Sequence, residues 1–210
     1  MQDLLNPALA TLAAYLVGSL SFAVLVSRVM GLNDPRTYGS KNPGATNVLR
    51  SGNKAAAVLT LLLDAVKGWL PVVLVKAYGA PYGLGDGSVA LVGLAAFLGH
   101  LYPVFFRFQG GKGVATAAGV ILAFNPWLGL ASLATWLIIA FFFRYSSLAA
   151  IVTAVFAPAY FLLGGGIAWE APGVVVLSLG VMAVLLVWRH AENINRLLAG
   201  TESKLGAKKP

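Results

Sequence analysis

Apolar residues in this chain gather into long blocks separated by short polar intervals. The blocks run at about 7–29, 55–78, 87–106, 113–124, 127–143, 147–163 and 172–188. A helix rises about 1.5 Å per residue, so roughly 20 residues cross a hydrocarbon layer about 30 Å thick. Most blocks approach that length and read as membrane-spanning helices. The fourth is shorter, about 12 residues reaching about 18 Å. Asn125-Pro126 separates it from the fifth block, because proline disfavours helix in the residue before it. The pattern predicts an all-α, polytopic membrane bundle of seven segments in a single domain over 1–210, the fourth segment short or re-entrant.

Composition agrees with that reading. The chain is 59% hydrophobic and 10% charged, against about 25% charged in soluble domains. So few charges cannot cover a water-facing surface. Cysteine is absent, which excludes disulfides and thiolate metal sites. The first apolar block is longer than a signal-peptide core and reads as a retained first span.

The net charge of +8 fits either nucleic-acid binding or positively charged cytoplasmic loops. Its distribution decides for the loops. With Arg28, Arg36, Lys41, Arg50 and Lys54 placed in the cytoplasm, counting passes puts Arg107, Lys112 and Arg144 there too. The tail follows, with Arg189, Arg196, Lys204, Lys208 and Lys209. Lys76 falls near the outer face and Lys67 within a span; Asp3, Asp86 and Glu170 fall outside. This is a positive-inside pattern with the N-terminus outside and the C-terminus cytoplasmic. A single span over 113–143 would move Arg144 outside. A re-entrant hairpin over the same residues fits the charges equally well. No nucleic-acid partner is expected, because the cations are scattered over membrane-flanking loops.

Four polar segments gather on the basic side. "YGSKNPGATNVLRSGNK" (38–54) supplies neutral hydrogen bonds from Ser40, Asn42, Thr46 and Asn47 and a forked cation in Arg50, or else an ordinary loop with a helix cap. "RFQGGKGVAT" (107–116) fails the Walker pattern, since Phe106 stands where its first glycine belongs and Gly113 follows Lys112. Gly110, Gly111 and Gly113 still let backbone N–H groups approach an anion beside the Lys112 cation. The plainer reading is a flexible turn with a snorkelling lysine. Ser146 and Ser147 either bind a ligand or cap the sixth span. His190 and Asn193, spaced i, i+3, share a helical face. Asp64 and Lys67, also i, i+3, lie deep in the second span, where charges are costly unless paired or wet. No carboxylate or histidine grouping has metal spacing, and no G-x-S-x-G elbow appears.

Together these segments resemble one family. "GSKNPGATNVLR", "GHLYPVFFRFQGGKGVAT" and "HAENINRLLAGTESKLG" are similar to the three signature motifs of the bacterial membrane acyl-phosphate:glycerol-3-phosphate acyltransferases (PlsY family), and "DAVKG" (64–68) to its second helix. The resemblance spans about 15–206. One departure is Ser21 in "GSLSFAV", where the family usually shows proline.

The resemblance implies seven spans and transfer of a fatty acyl group from acyl phosphate to the 1-hydroxyl of sn-glycerol 3-phosphate. The products are lysophosphatidic acid and inorganic phosphate, made for phospholipid synthesis at the cytoplasmic face of the inner membrane. Ser40 and Arg50 would orient phosphate. Gly110, Gly111, Lys112 and Gly113 would form a phosphate loop, and Ser146 and Ser147 would line the pocket. His190 and Asn193 would hydrogen-bond substrate, with Glu202 supporting the tail. No cofactor and no metal are implied. The expected partners are the two substrates and membrane lipids, with the chain a monomer. The competing reading is a membrane transporter of a phosphorylated small molecule, which needs polar residues continuing to the outer face.

Overall fold

A computed structural model describes residues 2–206, so Lys208 and Lys209 of the basic tail lie outside the described residues. The helices are α1 (Gln2–Gly18), α2 (Phe22–Val29), α3 (Ala45–Leu49), α4 (Lys54–Tyr78), α5 (Asp86–Leu101), α6 (Val114–Phe124), α7 (Pro126–Phe143), α8 (Ser146–Gly164), α9 (Gly173–Arg189) and α10 (Ala191–Leu198). Short 3-10 turns follow α4 and α5 at Ala80–Tyr82 and Val104–Phe106. No β-strand occurs among the described residues.

Local chemistry sets several boundaries. Asn53 caps α4 by accepting the Ala56 N–H at 2.9 Å. Asn125 ends α6 and caps α7, its side-chain oxygen accepting from Trp127 N–H and Leu128 N–H at 2.9 and 3.1 Å. Pro126 occupies the first helical position, where its missing N–H costs nothing. The break expected at Asn125-Pro126 is therefore a tight hairpin between α6 and α7, with Gly129 packed on Leu122.

The first block is not one straight helix. Residues Ser19–Ser21 interrupt it, and α1 meets α2 at 43°. Ser19 Oγ bonds back to the Tyr15 carbonyl at 2.8 Å, the local competition by which serine disturbs helices. The Leu20 carbonyl released by the break accepts from Lys67 Nζ at 2.6 Å. A similar bend of 57° separates α9 from α10 at His190.

By length and apolarity, α4, α5 with its following turn, α7 and α8 can each cross a membrane, and the two bent pairs qualify as units. The seven expected segments thus map onto four full-length helices, two bent pairs and the 11-residue α6. The outward faces carry large exposed apolar side chains such as Phe141, Phe142 and Leu177, which suits contact with lipid.

The short α6 is set into the bundle beside α4, and the two run parallel. A Cβ at Gly119 would stand 1.9 Å from the Ala65 carbonyl oxygen, and one at Gly68 would stand 2.3 Å from that of Thr116. These glycines let the backbones touch, as small residues do between membrane helices. Lys76 closes the far end of α6, donating to the Ala123 and Phe124 carbonyls at 3.0 and 2.9 Å. Because α6 begins partway along α4, the turn before it is sunk into the bundle.

Beneath that turn lies a buried charged cluster. Lys67 Nζ is 2.7 Å from Asp64 Oδ1, with side chains only 2% and 3% exposed. His100 Nδ1 stands 3.7 Å from the same oxygen, and Lys67 also faces the Phe22 ring at 5.6 Å. The cluster joins α4, α5 and the α1–α2 break. Removing one partner of such a pair strands a buried charge at a cost of about 3–5 kcal/mol. Lys67→Met is expected to lower thermal unfolding in detergent accordingly, and the double variant Lys67→Met/Asp64→Asn to recover part of the loss. A single variant as stable as wild type would contradict this account.

Candidate active site

Four segments meet at the cation-rich end of the bundle. Thr46 Oγ1 and Ser146 Oγ are 3.5 Å apart, Arg50 Nη2 donates to Ser203 Oγ at 2.9 Å, and Leu205 N–H donates to the Arg144 carbonyl. Arg189 reaches the glycine turn, and Lys112 donates to Asn193 Oδ1. The loop 30–54, the turn 107–113, the 144–147 corner and the segment 189–206 form one surface.

In the first loop, Asn47 is 1% exposed and acts as an internal brace. Its amide nitrogen donates to the Pro35 and Tyr38 carbonyls at 2.6 and 3.2 Å, and its oxygen accepts the Ser40 N–H at 3.0 Å. Those bonds spend its side chain inside the loop, so it shapes the site where ligand contact was expected. Gly39, at φ +59°, gives Asn47 its room. Ser40 is exposed and its hydroxyl makes no hydrogen bond among the described residues. Asn42 is half-buried against Gly44.

The turn Gly110–Gly113 is buried apart from the half-buried Lys112. Arg189 clamps it from outside, donating to the Gly110 carbonyl at 2.9 Å and to that of Gly111 at 3.1 and 3.2 Å. Gly111 N–H donates to the His100 carbonyl at 3.1 Å. That amide is spent on the fold and is not free for the phosphate cradle the sequence suggests. A Cβ at Gly113, where φ is +83°, would strike the Phe97 ring at 2.3 Å.

Around Lys112 the side chains form a chain of contacts. Asn193 accepts from Lys112 and donates to Glu202 Oε1 at 2.6 Å. The same oxygen accepts from Ser147 Oγ at 2.8 Å, while Glu202 Oε2 accepts from Arg196 Nε at 2.7 Å. Burial raises the Glu202 pKa, but hydrogen bonds from Arg196, Asn193 and Ser147 outweigh it and hold the carboxyl below its usual range. Burial, helped by nearby Arg196, pushes the Lys112 ammonium down to about 8. Burial pushes His190 down to about 4, leaving a neutral ring. Its Nδ1–H donates to the Leu186 carbonyl at 2.8 Å, so the lone pair of the neutral ring lies on Nε2.

The structure thus brings Lys112, Asn193 and Ser147 into one network beside His190. Ser40, Arg50, Thr46 and Ser146 sit on the adjoining rim, and Asn47 lies beneath. Two contributors were hidden in the sequence. Arg189 counted there only as tail charge, though its place beside His190 at the end of the last apolar block was a signal. Glu202, which the sequence suggests as support for the tail, is the carboxylate that ties the 189–206 segment to Ser147 and, through Asn193, to Lys112. Among the described residues no three Asp, Glu, His or Cys side chains gather as a metal site would require.

Comparison with known proteins bears on this arrangement. The glycerol-3-phosphate acyltransferase family profile matches residues 8–200. A glycerol-3-phosphate acyltransferase of Albidiferax ferrireducens is 67% identical over 202 residues, 96% of this chain and 90% of its own length. One from Paraburkholderia phytofirmans is 63% identical over 100% of this chain and 94% of its own. The crystal structure of PlsY (YgiH), an integral membrane glycerol 3-phosphate acyltransferase, in its glycerol 3-phosphate form is 41% identical with a TM-score of 0.87. It covers 95% of this chain and 96% of that one. The lysophosphatidic acid form is 40% identical with a TM-score of 0.85, covering 95% of each. Motifs, fold and matched length agree, and the chain belongs to the PlsY family of integral membrane glycerol-3-phosphate acyltransferases.

Proposed function

We propose that this protein transfers a fatty acyl group from acyl phosphate to the 1-hydroxyl of sn-glycerol 3-phosphate, giving lysophosphatidic acid and inorganic phosphate. The observation that carries the reading is the meeting of Lys112 with Asn193. It joins the glycine turn to the 190–206 segment and puts a cation, an amide and a neutral imidazole at one point. Family membership supports the reaction class, and the relative's glycerol 3-phosphate form supports the acceptor.

Acyl phosphate is a mixed anhydride with a good leaving group already built in. The protein's task is to hold two phosphates near each other and offset their charge. Lys112 and Arg50 supply charge, and Ser40, Ser146, Thr46 and Asn42 supply neutral hydrogen bonds at the rim. His190 Nε2 accepts from the attacking hydroxyl and orients it. A group titrating at about 4 is a weak base, so a phosphate oxygen of the substrate takes the proton. Transfer is direct in this scheme. Ser147 donates to Glu202, and no serine bonds a histidine among the described residues, so an activated serine nucleophile has no support here.

On the same reading the site faces the cytoplasm at the inner membrane, with α6 as a short fourth pass of seven in a monomeric, single-domain chain. Transport of a phosphorylated molecule is the weaker alternative. Beyond the Asp64–Lys67–His100 cluster the described core is built mainly of apolar side chains such as Val72, Val92, Val120, Phe124 and Leu128, with isolated hydroxyls at Ser88, Ser132 and Ser178 and no buried charge among them.

Purified protein given palmitoyl phosphate and glycerol 3-phosphate should release inorganic phosphate and form lysophosphatidic acid, and should form none from palmitoyl-CoA. Folded protein inert toward acyl phosphate would end this reading. Lys112→Ala should lower kcat/KM by about tenfold to a hundredfold, the range of a charged hydrogen bond. Protonated Lys112 is the binding form, so kcat/KM for glycerol 3-phosphate should fall as pH rises through about 8. Lys112→Arg should remove that limb, because arginine stays charged. An unchanged alkaline limb in the arginine variant would assign it to another group.

A further inference from the structure

Arg189 closes α9, and the chain bends by 57° just beyond it, at His190. It takes no part in the transfer proposed above, yet its guanidinium is held on both its face and its edge. The face lies over the Tyr102 ring at 5.9 Å. Tyr102 is itself fixed, its carbonyl accepting from Tyr15 Oη at 2.7 Å. On the edge, Nη2 donates to the Gly110 carbonyl at 2.9 Å, and Nη2 and Nε donate to that of Gly111 at 3.1 and 3.2 Å. The fork thus grips two consecutive peptide groups, as a planar guanidinium can.

Peptide geometry carries that grip through the turn. In a trans peptide the C=O and the following N–H point in opposite directions. With the Gly110 carbonyl turned to Arg189, the Gly111 N–H faces the other way and meets the His100 carbonyl at 3.1 Å. With the Gly111 carbonyl turned to Arg189, the Lys112 N–H also faces away from the guanidinium. It has no backbone hydrogen-bond partner among the described residues. The far side of the turn leaves no slack. A Cβ at Gly110 would stand 2.2 Å from the His100 carbonyl oxygen, and one at Gly111 would stand 2.3 Å from His100 Nε2. The turn is therefore pressed between the end of α5 and Arg189. A little further along the chain, Asn193 accepts from Lys112 Nζ. The stretch 189–193 holds the turn twice, by its backbone at Arg189 and by the lysine head at Asn193, and His190 stands between the two grips.

We propose that Arg189 is a positioning residue for the transfer: by clamping the Gly110 and Gly111 carbonyls it fixes Lys112 relative to His190, and it touches neither substrate. Lysine at this position would keep the charge but lose the fork that spans both carbonyls. The inference rests on the reaction proposed above, in which Lys112 binds the phosphate of glycerol 3-phosphate.

Arg189→Lys and Arg189→Gln separate the fork from the charge. Arg189→Lys should lower kcat/KM for glycerol 3-phosphate about tenfold, the scale of one charged hydrogen bond lost. The same change made in Lys112→Ala protein should cost less than about twofold, because the residue it aims is gone. The alkaline limb of the pH profile gives a second reading. Burial is the main cause of the lowered Lys112 pKa; Arg196 and Arg189 add to it, while Glu202 and Glu192 oppose it. Arg189→Lys keeps the charge and should leave the limb at about 8, whereas Arg189→Gln should move it to higher pH. Equal losses from Arg189→Lys with and without Lys112 would mean that Arg189 meets substrate itself or serves the fold alone, and would overturn the clamp. An unchanged kcat/KM in the lysine variant would overturn it too. Melting in detergent checks folding; if the glutamine variant does not fold, the lysine variant and its combination with Lys112→Ala decide by themselves. Wild-type protein inert toward acyl phosphate would instead remove the reaction, and the positioning role with it.

Discussion

The Lys67 ammonium, enclosed between Asp64 and the Leu20 carbonyl, is the constraint on which the cation-rich end is built. A charge in so dry a place must be matched closely or it destabilises the bundle. Its match comes from its own helix and from the carbonyl exposed where α1 gives way to α2. One side chain therefore fixes where the first span breaks relative to α4. His100, beside Asp64, continues the link into α5, and its carbonyl takes the Gly111 N–H. The glycine turn inherits its position from this buried pair.

Depth follows from the same geometry. The glycine contacts at Gly68 and Gly119 draw α6 against α4 with no side chain between them, and α6 is only 11 residues long. Its start therefore falls inside the bundle, and Lys112 is carried inward with it. Burial then lowers the lysine pKa to about 8, near enough to neutrality for its charge to respond to ligands and pH. A full-length α6 would have set the same lysine at the surface, with its charge screened by water.

Much of this was legible in the sequence because the signals are coarse. Apolar blocks, the Asn125-Pro126 break and one-sided cations located the helices and gathered the polar segments on one end. The 43° break in the first block was not legible, since it depends on Lys67 arriving from another helix to take the Leu20 carbonyl. In the sequence Asn47 resembles a ligand group, because it is a polar residue close to Ser40 and Arg50. Only the fold shows its amide bonded to the Pro35 and Tyr38 carbonyls. Arg189 reaches Gly110 across 79 residues and Glu202 reaches Ser147 across 55, distances that motif spacing cannot express.

The choice of partners for the cations separates scaffold from chemistry. Arg36 faces Asp34, Arg196 faces Glu202 and Lys67 faces Asp64, and in each pair the opposite charges largely cancel. Lys112 faces an amide oxygen, Arg50 a hydroxyl and Arg189 two carbonyls. Dipoles hold these groups in place while leaving their net charge uncancelled. Carboxylates in the same positions would orient the cations equally well, but an incoming phosphate would first have to displace them. Neutral partners avoid that exchange and keep the field preorganised toward anions. The transfer proposed above, between two phosphate-bearing molecules, needs that property more than it needs a nucleophile.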